Sequence, residues 1–304
     1  MNNLTYMCCL TLAVVTSCYA ATFGPRILKG TVTNGDIDEA SGIVVSRTHH
    51  DVIYTHNDKG DSSRFFAIGV NGSNLATFTV RNAQNYDWED LTYGPCADDC
   101  ASGHCSVKVT PNRYCIYISD TGDHHGDGAK ETIYMVREPS LIKSGDVDVV
   151  STLRFSWPEE NAETLMIDPT GQLYIVSKVK GGIAKMAKIP SSAWGGPRVS
   201  LDMAHSGTLK ISTSHKDPQG GDISPNGREM LLVYEDDVYY YSVPDSDYIK
   251  AVNNQTPQKV QSYIRVKSTE AITWNQNGSG FYTLPEGDYQ TIAFYPKIAG
   301  TVMG

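Results

Sequence analysis

After residue 20 the chain has no apolar run approaching eighteen residues, which excludes a helical membrane span. It also lacks any long stretch of helical periodicity, which excludes a mainly helical fold. No basic run occurs anywhere and the formal net charge is −9, so nucleic acid and anionic membranes are poor partners, whereas cations are compatible. H-E-x-x-H, Walker and G-x-S-x-G patterns are missing, and the histidines and serines form no recognisable triad spacing.

The first twenty residues carry an apolar stretch, Met7–Val15, and end Cys18-Tyr19-Ala20, which reads as a signal peptide with small residues at the −3 and −1 positions. The expected mature protein is therefore 21–304, secreted, monomeric and without a membrane span, with an extracellular ligand or matrix component as partner. Its cysteines, Cys96, Cys100, Cys105 and Cys115, crowd into one short stretch. An even count in an exported chain predicts two disulfides, and the spacing C-x3-C-x4-C-x9-C lacks the paired C-x2-C of most zinc knots. Sequons at Asn71, Asn254 and Asn277 are expected glycosylation sites.

What fills the chain is short β-type runs between turns, organised as a degenerate repeat. Glu39-Ala-Ser-Gly-Ile, Glu89-Asp-Leu-Thr-Tyr, Glu163-Thr-Leu-Met-Ile, Asp222-Ile-Ser-Pro and Glu270-Ala-Ile-Thr-Trp each set an acid before an apolar strand. Their spacings are 50, 74, 59 and 48 residues, and treating 96–115 as an insertion brings the long interval to 54. That is a propeller-blade length. Four strands can be drawn per interval, except that the last stops one short, and Arg26–Thr33 is available to complete it. Pairing terminal strands removes exposed edges. The expected fold is a single all-β domain, a five-bladed β-propeller closed by its N-terminal strand, with six blades as the alternative.

In such a ring the first strands line the channel, so Glu39, Glu89, Glu163, Asp222 and Glu270 would circle one mouth. Carboxylates about 5 Å apart repel by about 3 kcal/mol at an effective dielectric near 20. No Lys or Arg lies beside these acids within their strands. Raised pKa values, hydrogen bonds from neighbouring backbone, or a bound cation would resolve the repulsion. An all-oxygen donor set favours Ca²⁺ over zinc or copper. The competing reading is that each acid only caps backbone groups of the next blade.

Turns after the second strands form the rim of the same face, with Asp58, Asp61, Asp120, Asp123, Glu286 and Asp288 as contact residues. The stretch SDTGDHHGDG at 119–128 is one such turn, where glycine suits a tight hairpin. It fails as an EF-hand loop, because Gly122 and His124 stand at ligand positions and strands flank it. The third repeat departs, offering Lys178-Val-Lys180-Gly-Gly, with Lys185 and Lys188 nearby, which reads as a solvated hairpin.

The succession EASGIVVS, YTHNDKGD, NYDWEDLTYGP, YISDTGDH, NAETLMIDPTGQLYIVSK, GGDISPNGRE and TEAITWN resembles a widespread group of exported single-domain propeller proteins of bacteria and some eukaryotes. That likeness implies fold and secretion rather than an activity. The architecture also looks like calcium-dependent apyrases and five-bladed glycosidases, in which carboxylates at inner-strand starts hold a cation or do acid–base work. Two functions are therefore expected to compete: a calcium-binding extracellular component, and a calcium-dependent hydrolase using the channel carboxylates.

Overall fold

A computed structural model describes residues 21–97, 113–122, 131–159 and 161–298. The expected signal peptide, Cys100, Cys105 and Asp123 with the two histidines after it lie outside the described residues. The fold is all-β, with one short α-helix at Tyr248–Asn254 among the described residues.

Four-stranded antiparallel units repeat along the chain. The first comprises Ala40–Val45, Val52–Asn57, Arg64–Gly69 and Asn74–Arg81. The second comprises Trp88–Pro95, Tyr114–Asp120, Thr132–Arg137 and Gly145–Ser156. Ala162–Ile167, Leu173–Ser177, Lys185–Ile189 and Gly207–Thr208 form the third. The fourth is Gly220–Ile223, Glu229–Val233, Val238–Ser242 and Gln258–Lys259. The last has Thr269–Trp274, Gly280–Pro285 and Thr291–Ile298, completed by Ile27–Thr31, which pairs antiparallel with Thr291–Ile298. Closure by the N-terminal strand thus matches the expectation.

The first strand of each unit packs beside the first strand of the next, and Thr269–Trp274 returns to Ala40–Val45, so the inner strands form a closed circuit. These inner strands are buried nearly throughout because they face neighbours on both sides. The apolar core is accordingly divided into packets between adjacent sheets. One packet sets Tyr117 and Met135 against Leu165, Ile175 and Trp194; another sets Phe65 and Phe78 against Trp88 and Ile118. One connection had no sequence signal: the outer strands Asn74–Arg81 and Gly145–Ser156 pair in parallel, joining the first two units into one continuous sheet.

Cys96 and Cys115 form a disulfide across the base of the predicted insertion. Asn71, Asn254 and Asn277 are all exposed, as a glycan acceptor must be. No helix among the described residues is long and apolar enough to cross a membrane.

Candidate cation site at the channel mouth

Four of the inner strands begin with the same irregularity. Their pairing to the second strand slips by one residue, leaving Ser41, Glu89, Glu163 and Glu270 as the unpaired extra residue. A bulge re-aims the side chain it carries, and it does so here at the same height in each sheet. Two residues earlier, a backbone carbonyl accepts from the residue that leaves the second strand: Asp58 N–H to Glu39 (3.0 Å), Gly122 N–H to Asp87 (3.2 Å), Lys178 N–H to Asn161 (2.9 Å) and Glu286 N–H to Ser268 (2.8 Å). Asp58, Lys178 and Glu286 are therefore equivalent positions, each delivered to the mouth beside a bulge, whereas Gly122 makes the same backbone bond one residue further along its turn.

The acids gathered there are Asp58, Asp87, Glu89, Glu163, Glu270 and Glu286. One carboxylate oxygen from each of Asp58, Asp87 and Glu89 falls within a group no wider than 4.8 Å. Glu89 is 1 % exposed, and its Oε1 has no hydrogen-bond partner among the described residues. Burial, then the neighbouring Glu163, Asp58 and Asp87 carboxylates, push its pKa well up. Burial raises Asp58 to about 6, helped by Asp87 and Glu270. Burial raises Glu286 to about 8, helped by Glu270, Asp58 and Glu39.

Lys178 answers part of this charge. Its ammonium ion-pairs with Glu163 Oε2 and stands 3.5 Å from Glu270 Oε1, with all three side chains largely buried. Burial nonetheless keeps Glu163 up at about 8, with Lys178 opposing that rise and Glu270 adding to it. The expected solvated hairpin is corrected at this residue: Lys180 and Lys188 are exposed and Lys185 is partly so, but Lys178 turns inward.

Of the five strand-starting acids, the structure brings three together. Glu89, Glu163 and Glu270 share the mouth, whereas Glu39 is exposed and precedes the bulged residue of its strand, Ser41, by two positions. Ser41 Oγ instead donates to the Glu89 carbonyl and lies 3.3 Å from Glu270 Oε2. Asp222 lies deeper: its Oδ2 accepts from Thr273 Oγ1 at 2.9 Å and from Trp274 N–H at 2.8 Å, which makes it a cap on the next sheet. At the mouth the fourth sheet presents Gly220, where a Cβ would collide with the Glu270 carbonyl.

Of the expected rim, Asp58 and Glu286 belong to the site itself. Asp61 is spent on Arg64, both of its oxygens lying 2.9 Å from Nε, and Asp288 is exposed. Asp120 accepts from Asp87 N–H at 2.9 Å and so orients the residue that enters the group. Asp87 and Asp90 were not singled out in the sequence, although both lie in the Asp87-Trp88-Glu89-Asp90 run. Asp90 is a second buried cap, its Oδ2 accepting from Leu165 N–H at 2.9 Å.

No protein-family model matches the chain, and no curated protein is significantly similar in sequence. Among solved structures, the major allergen Mala s 1 of Malassezia sympodialis superposes with a TM-score of 0.53 at 10 % identity, over 90 % of this chain and 96 % of that one. The PQQ-bound aldose sugar dehydrogenase of Streptomyces coelicolor gives 0.47 at 9 % identity, over 92 % and 99 %. Both are propeller-like. At such identity the likeness to Mala s 1 shows the fold alone, and this chain is an all-β, propeller-like protein with a buried acidic group that could hold a metal ion.

Proposed function

We propose that the chain is an exported five-bladed propeller that binds one calcium ion at its channel mouth and acts as an extracellular binding or matrix component. Asp58, Asp87 and Glu89 are the proposed ligands. The observation that carries this reading is the Glu89 carboxylate, buried, facing two further acids, and with Oε1 unmatched by any donor among the described residues. A buried acceptor left so is costly, and a cation supplies what the protein does not. Oxygen-only donors in an irregular set suit calcium, which takes about six to eight oxygens in flexible geometry, better than magnesium, which demands a near-octahedral shell.

Three carboxylate oxygens within 4.8 Å of one another converge as a metal cage requires, closer than the separations of about 5–5.5 Å in retaining or about 6.5–9.5 Å in inverting glycosidases. A nucleotide hydrolase would need a base free to meet a phosphoryl oxygen. Lys178, the base buried at the mouth among the described residues, is held between two glutamates, so binding is preferred to hydrolysis. The disulfide and the absence of a membrane-length helix among the described residues are compatible with an extracellular setting.

The test is metal analysis of purified protein together with melting curves in calcium and in chelator. Calcium at about a hundred times its dissociation constant stabilises the fold by about 2.7 kcal/mol. Glu89→Gln is expected to raise the melting temperature of the metal-free protein, by removing the cost of burying an ionisable carboxyl beside other acids, and to abolish the calcium response. A wild-type melting temperature indifferent to calcium, with no calcium in the protein, overturns the reading.

A further inference from the structure

We propose that Lys178 fills, with its own ammonium, a cation position that the ring of carboxylates would otherwise offer to a second metal ion, so that the mouth takes one calcium and not two. The inference rests on the calcium reading above and concerns what limits that site.

Three observations carry it. First, Lys178 occupies the position at which two other sheets place carboxylates: Asp58, Lys178 and Glu286 leave their second strands at the same point and make the same backbone hydrogen bond. A lysine thus stands where the repeat elsewhere supplies an acid. Second, its ammonium is seated as an ion would be, against Glu163 on one side and Glu270 on the other, with side chains 14 %, 5 % and 14 % exposed. Glu286 stands near Glu270 and completes an oxygen-rich surround. Third, the fourth sheet brings backbone rather than a side chain against Glu270 at Gly220, where a Cβ would collide with the Glu270 carbonyl.

The acids thus divide into two sets. Asp58, Asp87 and Glu89 make the compact carboxylate group, whereas Glu163 and Glu270 hold the Lys178 ammonium. Removing the ammonium would leave the buried Glu163 beside Glu270 without its basic partner, and a proton or a divalent ion would have to take that place. A tethered lysine needs no free ion and cannot be chelated, so it fixes the charge balance on one side while leaving the other to respond to calcium.

The experiment counts calcium ions per chain by equilibrium dialysis and metal analysis, with calcium alone as probe, in the wild type, Lys178→Met and Lys178→Arg. The expected counts are one, two and one. A folded Lys178→Met that binds a single ion, as the wild type does, overturns the proposal. A wild type that binds none refutes the calcium reading instead; the proposal then stands if Lys178→Met binds one ion and falls if it binds none. Should Lys178→Met lose its folded circular-dichroism spectrum, the Glu163→Gln, Glu270→Gln double variant decides. It keeps one calcium if those carboxylates serve Lys178, and loses it if they serve the metal.

Discussion

Gly122 is packed against Glu89: a Cβ on Gly122 would lie closer than 3.0 Å to Glu89 Oε1 and to the Asp87 carboxylate, a separation that real Cβ atoms essentially never show. The glycine of Asp120-Thr121-Gly122 is thus required by the site, beyond any need of the turn, and its backbone forms a wall of the cation group. Gly122→Ala is expected to push Glu89 and Asp87 apart and cost about 1–3 kcal/mol of stability. The calcium-induced rise in melting temperature should disappear with it. An alanine variant that still responds to calcium like the wild type would show that Glu89 and Asp87 are not ligands.

A pH dependence follows from the raised carboxyls. In the folded, metal-free protein Asp58 is raised to about 6 and Glu163 and Glu286 to about 8, above their ordinary values. The folded state therefore binds more protons than the unfolded chain between those limits. The stability from these groups is fully present below about pH 4 and is lost as pH rises towards 8. Protons and calcium compete for the oxygens of the ligands Asp58 and Glu89, both raised, so calcium affinity should move the other way and strengthen between pH 5 and 8. Melting curves across that range, with chelator and with calcium, are expected to diverge as pH rises. Parallel curves would count against a metal at these groups.

How much of this the sequence revealed depends on which interactions are local. The strand starts at Glu89, Glu163 and Glu270 were legible because an acid before an apolar strand recurs at blade spacing, and all three reach the mouth. Glu39 followed the same pattern yet stays exposed, because the bulge in its strand falls at Ser41, and bulge position is set by pairing with Val52–Asn57. Asp222 was drawn into the ring by spacing alone, whereas its depth is fixed by hydrogen bonds to a strand some fifty residues away. Lys178 was visible as a departure from the repeat, but its inward turn depends on Glu163 and Glu270, contacts no linear reading supplies. Asp87 and Asp90 were hidden by lying either side of the acid that fitted the pattern.

Ring closure offers a test of the fold apart from the site. Ile27–Thr31 completes the last sheet, and its pairing slips between Leu28 and Gly30, where the strand crosses the hairpin tip of the first unit. A Cβ on Gly30 would strike the Asn71 carbonyl at well under 3.0 Å, and Thr33 N–H donates to the Gly72 carbonyl at 2.9 Å. The terminal strand is therefore wedged between two sheets that are distant in sequence. Gly30→Val forces backbone to move against backbone and is expected to cost about 1–3 kcal/mol. For a chain of this length that is about 2–4 °C of melting temperature per kcal/mol. Limited proteolysis should cut the variant before residue 33 faster than the wild type, since an unlatched terminal strand exposes its backbone. Lys29→Ala, one residue away with its side chain exposed, should change neither measurement by much. Equal proteolysis of wild type and Gly30→Val, with unchanged melting, would mean that the N-terminal strand does not hold the ring shut.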